Sequence, residues 1–488
     1  MAIAPDSKTA LVALNRFGFG ARGGASDLAR AATDPRGFLK AELQRPAVTQ
    51  LEATTLPPTN IALQAVYAEQ QQRKLEREAT SAANPGTPPP RPNSPDMMRA
   101  IGSADGMAKA DPAKAGDQPV AQKLMRADAM ARFKCVSHAE VGFAERLVYF
   151  WSNHFCVSAL KGPNVRAIAG CFEREAIRPH VLRRFSDMLL AVEQHPAMLF
   201  YLDNAQSFGP NSKAGQRRKR GLNENLAREI LELHTLGVDG GYTQADVTSL
   251  ARIITGWMFA GREGRLGEPG TFVFSPNAHE PGAQMLLGKL YPASGIEQGK
   301  AALTDLARHP ATAHHIARKL ARHFVADDPP QSLVARLAKE FRDTDGDLKR
   351  VAMTLVDSDE AWALPAAKMR TPHEFIMAAL RAIDRMPDDP GAVLGPVAAM
   401  GMPLWQPPGP NGWPDTVAAW ASPEGMKSRL EVSAAVSARV KNLINPSELL
   451  DTIAGEAASA ETRQAVARAE SRQQGLALLL MSPEFQRR

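Results

Sequence analysis

The chain has 488 residues, of which 44% are hydrophobic, and its 58 Lys and Arg against 52 Asp and Glu give a net charge of +6. This length and composition are typical of a globular protein with a large core, and so small a charge excess does not indicate binding to nucleic acid. The three cysteines, Cys135, Cys156 and Cys171, include no CxxC pair, which argues against a disulfide framework or a structural zinc site.

The first twenty residues, MAIAPDSKTALVALNRFGFG, contain one short apolar run with no basic segment before it. An export signal would need both a basic start and a longer apolar core. No stretch of the chain approaches the roughly 18 uninterrupted apolar residues of a membrane-spanning helix. We therefore expect a cytoplasmic protein without a membrane span, with a periplasmic or exported location as the alternative.

Helical periodicity dominates the chain. Apolar residues recur at spacings of three and four in AEVGFAERLVYFWSNHF, ATAHHIARKLARHFV and EFIMAALRAI. Strand character is confined to residues 271–291, where a small hairpin or an irregular excursion fits equally well. The predicted fold class is mainly α, a multi-helical globular bundle with long Pro/Gly-rich loops and at most a minor β-hairpin.

Two Pro/Gly-rich segments interrupt the helices. Residues 83–120 have almost no large apolar side chain, which predicts a disordered insertion between a N-terminal helical part, 1–82, and a main helical body, 121–488. Because helices resume directly after the insertion, we expect the two parts to pack as one unit. Residues 387–425 contain Trp405, Trp413 and Trp420 among prolines and glycines, which predicts an ordered loop laid across the helices.

Residues 223–257, NENLAREILELHTLGVDGGYTQADVTSLARIITGW, combine acids, amides and a histidine with a Gly-Gly turn. Gly237 has the position of a helix C-terminal cap, and Thr243 with Asp246 has the form of a capping box, so we predict a helical hairpin. On a helical wheel of 100° per residue, Glu229 and Glu232 share a face while His234 lies roughly 140° to 160° from them.

Glu229 and Glu232 are the candidate acid pair. Carboxylates three residues apart repel unless a cation, a metal ion or a shared proton intervenes. They could form a catalytic or metal-binding pair completed by other segments, or each could form a salt bridge to an arginine on a neighbouring helix. Glu224 and Arg228, four residues apart, have the form of an ordinary surface pair.

The histidines are the other candidates. His154 falls on an inward-facing apolar stripe, which predicts either a hydrogen-bonded core histidine or a ligand or base. His195 precedes Pro196 at a predicted helix start, and Asp203 follows at the helix end. His279 lies in a loop, where functional residues are common. The candidate catalytic residues are His154, Glu229, Glu232 and His279.

The order and spacing of LNRFGFGA, WSNHF, HPAMLFYLDNAQS, NENLAREILELHTLGVDGGYTQADV, TGW, HEPGAQMLLG, PNGWP and SPEF resemble the bacterial family known as domain of unknown function 1800. The resemblance implies a mainly helical protein whose relatives often carry export signals and are encoded beside a second uncharacterised family, one similar to alkaline phosphatases and sulfatases. It implies no reaction and no cofactor. The polar motif positions that it marks are Asn153, His154, His195, Asp203, Asn204, Asn223, Glu224, Asn225, Arg228, Glu229, Glu232, His234, Asp239, Tyr242, Asp246 and His279.

Two functions are compatible with these residues. The first is a helical binding or accessory protein, whose partner would be the phosphatase- or sulfatase-like protein encoded nearby. The alternative is a hydrolase, metal-dependent in one version, that uses the glutamate pair and a histidine. The sequence specifies neither a cofactor nor a substrate.

Overall fold

The computed structural model describes residues 7–24, 26–51, 55–83, 118–219, 221–363, 366 and 368–488. Most of the predicted insertion at 83–120 lies outside these described residues. The secondary structure is mainly α, as predicted from the helical periodicity.

Twenty-four α-helices lie within the described residues. In chain order they are α1 (Ser7–Val12), α2 (Asp27–Thr33), α3 (Pro35–Gln44), α4 (Thr59–Ala83), α5 (Val120–His138), α6 (Phe143–His154), α7 (Pro163–Phe172), α8 (Phe185–Gln194), α9 (Pro196–Tyr201), α10 (Lys213–Arg218), α11 (Asn225–Glu229), α12 (Gln244–Ile253), α13 (Ile296–Arg308), α14 (Pro310–Phe324), α15 (Gln331–Asp343), α16 (Leu348–Asp357), α17 (Pro372–Ala382), α18 (Gly391–Ala399), α19 (Val417–Trp420), α20 (Pro423–Val440), α21 (Pro446–Ala454), α22 (Ala460–Ala467), α23 (Arg472–Met481) and α24 (Pro483–Gln486).

Shorter helical turns connect or extend these helices. Three are π-helical, Ala13–Phe17, Glu173–Ile177 and Ile230–His234, and four are 3₁₀ turns, Ala159–Lys161, Asn204–Gln206, Asp359–Trp362 and Gly455–Ala457. A helix that could cross a membrane would have to be both long and apolar, and none of the described helices meets both conditions.

The strands form two small antiparallel sheets. β1 (Trp257–Phe259) pairs with β2 (Phe272–Phe274), and β3 (Gln284–Leu286) pairs with β4 (Lys289–Tyr291). For the segment at 271–291 the sequence fitted a small hairpin or an irregular excursion equally well, and the structure has the β3–β4 hairpin there together with β2, the strand that returns to β1.

Helix starts follow the local sequence signals. At α17, Thr371 and Glu374 form a capping box and Pro372 occupies the first turn. At α9, the ring of His195 accepts a hydrogen bond from the Ala197 N–H, beside Pro196. His195 therefore lies at a helix entrance, as its position before proline predicted.

A single hydrophobic cluster contains residues from both sides of 84–117. Leu63 and Val66 of α4 lie in it together with Phe133 of α5 and Ile168 of α7, all fully buried. α4 packs against both α5 and α7. Apolar side chains from before and after the undescribed segment thus bury one another.

Beside this core, Arg178 forms a buried ion cluster with two glutamates. Its guanidinium lies 2.7 Å from Glu145 Oε1 and 2.9 Å from Glu173 Oε1, while Arg132 lies 2.7 Å from Glu173 Oε2. Burial opposes ionisation of Glu173, yet the charges of Arg132 and Arg178 lower its pKa. The cluster joins α5, α6 and the π-turn Glu173–Ile177.

We expect Arg178→Leu to destabilise the fold by about 3 to 5 kcal/mol, because it leaves Glu145 and Glu173 buried with too little positive charge. Arg336→Leu is the matched control, since that arginine also pairs with a glutamate, Glu360, but at the surface. Its cost should be less than about 1 kcal/mol. Urea unfolding of the three proteins measures both values, and equal costs would contradict the importance of the buried cluster.

Candidate functional site

The segment that contains the acid pair has an irregular backbone. Helix α11 ends at Glu229, and the chain continues as the π-turn Ile230–His234. A π-turn pairs residues five apart, so side-chain directions here differ from those of a regular α-helix. Burial raises the pKa of the Glu229 carboxyl. The helical-wheel angles between His234 and the glutamates assumed regular α-helical geometry through residue 234, which the π-turn replaces.

Two histidines from other helices bind the end of this π-turn. His154 Nε2 lies 3.2 Å from the carbonyl oxygen of His234, and His315 Nε2 lies 3.1 Å from that of Leu233. A carbonyl oxygen can only accept, so Nε2 of each imidazole carries the proton. Helix ends leave carbonyl groups without intrahelical donors, and these side chains satisfy two of them. His154 is thus a hydrogen-bonded core histidine.

The protonation of His154 decides what its other nitrogen can bind. With Nε2 protonated, the neutral ring offers Nδ1 as an acceptor, and Lys319 Nζ lies 2.9 Å from it. Burial and the positive charge of Lys319 lower the pKa of His154 well below its ordinary value. The same two causes lower the pKa of His315 to about 4. Both rings are therefore neutral near neutral pH.

Lys319 itself has no carboxylate partner among the described residues. Its amine makes the hydrogen bond to His154, and no Asp or Glu oxygen of those residues lies within ion-pair distance. The nearest acid that influences it, Asp415, already binds His323 at 2.6 Å and Lys368 at 3.1 Å. Burial lowers the pKa of Lys319 to about 8. A lysine in such surroundings is unusual, because a buried charge is normally paired.

The two glutamates have different surroundings. Glu232 forms an ion pair of 3.5 Å with Arg228. Burial, together with a hydrogen bond to Glu232, raises the pKa of the Tyr242 phenol to about 12. Glu229 has no ion pair or hydrogen bond among the described contacts. One alternative from the sequence was a salt bridge from each glutamate to an arginine on a neighbouring helix. The ion pair of Glu232 is instead with Arg228 of its own helical segment, which also contacts Glu224 at 3.3 Å.

The remaining polar motif residues hold the local structure in place. Their contacts are His234 to Glu193 at 2.7 Å, Asp203 to Lys161 at 2.5 Å, Asn204 to the carbonyl groups of Ile254 and Trp257, Asn223 to the Asn225 N–H, and Asp246 to Thr243 in a capping box, while Asp239 is exposed. His279 bonds the Thr255 carbonyl oxygen at 2.9 Å, and no described contact joins it to the glutamates. Gly237 and Gly241 have φ of 87° and 83°, as a helical hairpin requires.

Asn153 lies one residue before His154 and binds the tryptophan loop, which we define as residues 402–416. Its amide donates to the Trp413 carbonyl oxygen at 2.9 Å and accepts from the Trp413 N–H at 2.8 Å. The Ala159 N–H donates to the carbonyl oxygen of Trp405 at 2.8 Å. The loop therefore lies across the end of α6. The whole of 387–425 was predicted to be one ordered loop, and that wider segment also contains α18, α19 and the start of α20.

A cavity of about 50 Å³ lies beneath this loop. Its lining residues are Arg132, Tyr149, Ser152, Asn153, Cys156, Val157, His373, Met402, Leu404, Trp405, Pro407 and Trp413. Four of these side chains carry a buried polar atom without a hydrogen-bond partner, namely Arg132 Nε, Tyr149 Oη, His373 Nδ1 and Trp405 Nε1. Buried polar atoms are usually bonded, so their concentration at one cavity marks it as a site.

Cys156 connects the cavity with the lysine. It lines the cavity, and the charges of Lys319 and Glu229 both act on its thiol. Burial raises the pKa of Cys156 to about 12, so the thiol is protonated and unreactive. In the described part of the chain, no group of three or more His, Cys, Asp or Glu side chains is arranged to hold a metal ion.

Sequence reasoning missed Lys319, Arg132, Tyr149 and His373. A signal for Lys319 existed, since it lies four residues after His315 and therefore shares its helix face. The cavity residues come from segments hundreds of positions apart, and no local pattern joins them.

Lys319→Met tests whether the lysine charge is uncompensated. Burial lowers the pKa of Lys319 from 10.5 to about 8, so the folded state disfavours the protonated amine. Below pH 8 the amine is protonated in the folded protein, and its burial lowers the free energy of unfolding by the full amount. That cost disappears as the pH rises from 8 to 10.5, where the unfolded chain also loses the proton. We expect Lys319→Met to be more stable than the wild type at pH 7, by on the order of 1 to 3 kcal/mol, and the difference to shrink towards pH 10.5.

Urea unfolding at several pH values measures this difference. Lys134→Met, at an exposed lysine on α5, is the control and should differ from the wild type by less than about 1 kcal/mol throughout. A Lys319→Met protein whose stability relative to the wild type is the same at pH 7 and pH 10 would show that the amine is not held in a costly charged state.

Comparison with known proteins gives one result. Among curated proteins and solved structures, none matches the chain. The model of one family, described as "Protein of unknown function (DUF1800)", matches residues 12–487. This range is nearly the whole chain, and it agrees with the motifs that carried the resemblance. The protein therefore belongs to the DUF1800 family, whose function is unknown.

Proposed function

We propose that the protein binds a small uncharged polar molecule in the cavity beneath the tryptophan loop. The observation that carries the proposal is the set of four unpartnered polar atoms on residues that line this cavity. Each buried group without a partner costs about 1 to 3 kcal/mol, which a ligand that bonds to it would offset.

The bonding capacity of these atoms defines the ligand. Arg132 Nε and Trp405 Nε1 can only donate, and the Tyr149 hydroxyl can donate or accept. His373 Nε2 donates to the Met402 carbonyl oxygen at 3.1 Å, so its Nδ1 accepts. Burial lowers the pKa of His373 to about 3 and keeps the ring neutral. A group with a carbonyl oxygen and an N–H, such as an amide, complements this set.

The cavity favours an uncharged ligand, because the charged residue that lines it is already paired. Arg132 is paired with Glu173 and its guanidinium lies 3.7 Å from the centre of the Tyr149 ring. Its charge is therefore already compensated. Met402, Leu404 and Pro407 supply apolar surface around the polar atoms, which is the usual composition of a small-molecule site.

The backbone at Trp405 supports the same location. Trp405 has φ of 52°, in the left-handed region that bulky residues avoid, at a cost of about 1 to 2 kcal/mol. The hydrogen bond from the Ala159 N–H to its carbonyl oxygen holds it there. Strained residues of this kind concentrate where a side chain has to be presented in a fixed position.

The hydrolase alternative has weaker support. Of the acid pair, Glu232 is bound to Arg228 and Tyr242, and His279 is bound to Thr255. Three predictions from the sequence stay predictions. They are the phosphatase- or sulfatase-like partner, the cytoplasmic location with an exported one as the alternative, and the expectation that nucleic acid is not a partner. Co-purification of the protein with the product of a neighbouring gene would test the first of these.

Acetamide is the probe for the cavity, because a volume of about 50 Å³ holds roughly three or four water molecules, and acetamide has four non-hydrogen atoms. We expect saturation-transfer NMR to detect binding with a Kd in the millimolar range, and weaker binding of acetate, which is charged. Tyr149→Phe removes an unpartnered hydroxyl and should weaken acetamide binding about 3- to 10-fold without loss of stability.

Tyr291→Phe is the matched control. That hydroxyl bonds Asp305 at 2.7 Å and does not line the cavity, so its removal should leave acetamide binding unchanged. The proposal fails if the wild type does not bind acetamide, or if Tyr149→Phe and Tyr291→Phe bind it equally well.

A further inference from the structure

We propose that Lys319 is a reactive amine that condenses with the carbonyl group of a neutral aldehyde or ketone to form an imine. This activity is separate from the binding of an uncharged ligand in the cavity. It rests on the contacts of the Lys319 side chain, on the groups that surround it and on its partial exposure.

The contacts of Lys319 leave its amine available. The hydrogen bond to His154 Nδ1 uses one N–H, and no carboxylate of the described residues forms an ion pair with the nitrogen. The amine is buried, but part of the Lys319 side chain is exposed to solvent. A nucleophilic lysine requires the same combination, an amine without an anionic partner in a site that is accessible but poorly hydrated.

Most of the groups that face Lys319 from neighbouring elements are uncharged. His154 of α6 and His315 of α14 are neutral, and the Cys156 thiol is protonated. Arg322, also on α14, adds positive charge. Asp415 of the tryptophan loop favours the charged amine, and this carboxylate is already bound by His323 and Lys368. Burial and Arg322 together lower the pKa of Lys319 to about 8.

The reaction needs no reagent beyond the carbonyl compound. The lone pair of Lys319 Nζ forms a bond to the carbonyl carbon, and the carbonyl oxygen becomes a hydroxyl group. The nitrogen then loses a proton, the hydroxyl leaves as water, and a carbon–nitrogen double bond remains. The protons are exchanged with solvent, which reaches the half-buried side chain. No oxidation or reduction occurs.

The negative charge of Glu229, which acts on the Cys156 thiol, limits the substrate class. Glu229 acts on the same thiol as Lys319 and has no ion pair among the described contacts. An additional carboxylate on the substrate would be repelled there. A neutral aldehyde or ketone is therefore favoured over a keto acid.

The test is reductive trapping in the wild-type protein. Propionaldehyde and cyanoborohydride are added at pH 7, the reaction is stopped at short times, and propylated lysines are located by mass spectrometry of peptides. A lower pKa enlarges the free-amine fraction at pH 7 by roughly 300-fold but reduces the nucleophilicity of the amine, so we expect Lys319 to react about tenfold faster than exposed Lys134.

Two further conditions separate reactivity from simple access. The rates of Lys319 and Lys134 should converge above pH 10, where both amines are unprotonated, and pyruvate should label Lys319 more slowly than propionaldehyde does. Labelling of Lys319 at pH 7 that is no faster than that of Lys134 overturns the proposal. Acetamide binding in the cavity is measured separately, so either result can fail without the other.

Discussion

The hydrogen bonds from His154 and His315 to the carbonyl oxygens of the π-turn are the constraint on which the candidate site depends. The π-turn leaves these carbonyl groups at a helix end without backbone donors. Only a donor can satisfy them, so each imidazole presents a protonated Nε2 and an acceptor at Nδ1. At His154 that acceptor faces Lys319, which donates to it. The π-turn thus determines which nitrogen of His154 on α6 carries the proton, and thereby the hydrogen-bond partner of Lys319 on α14.

The same region brings two unsatisfied sets of groups close to Cys156. The first consists of polar atoms without hydrogen bonds, held by Arg132, Tyr149, His373 and Trp405 around a cavity that Cys156 also lines. The second is the Lys319 amine, which has no carboxylate partner among the described residues. Elsewhere the fold pairs its buried charges closely, as the Arg178 cluster shows. Buried polar atoms without a partner also occur elsewhere among the described residues, but four of them lie on residues that line one cavity, and this concentration favours a ligand over poor packing.

The sequence predicted the features that depend on local rules. The apolar stripe placed His154 inside, Pro196 placed His195 at a helix start, and the glycines and capping residues after residue 236 predicted a helical hairpin. It could not predict the π-turn, because a helical wheel assumes a constant rotation per residue. It could not predict the cavity either, since Tyr149, His373 and Trp405 meet only through tertiary packing and their missing hydrogen bonds have no sequence signal. Glu229 and Glu232 are equivalent candidates in the sequence. The structure distinguishes them, because Glu232 contacts Arg228 and Tyr242.

The central claim is that the Lys319 amine is held without a compensating anion beside neutral histidines. Its most direct test is an NMR titration of lysine side chains in the folded wild-type protein, with the Lys319 signal assigned from the spectrum of Lys319→Met. The structure predicts a titration midpoint of about 8 for this amine, because burial opposes its protonation. A midpoint at the ordinary lysine value of 10.5 would contradict the claim, since it would show that the charge is fully hydrated or paired.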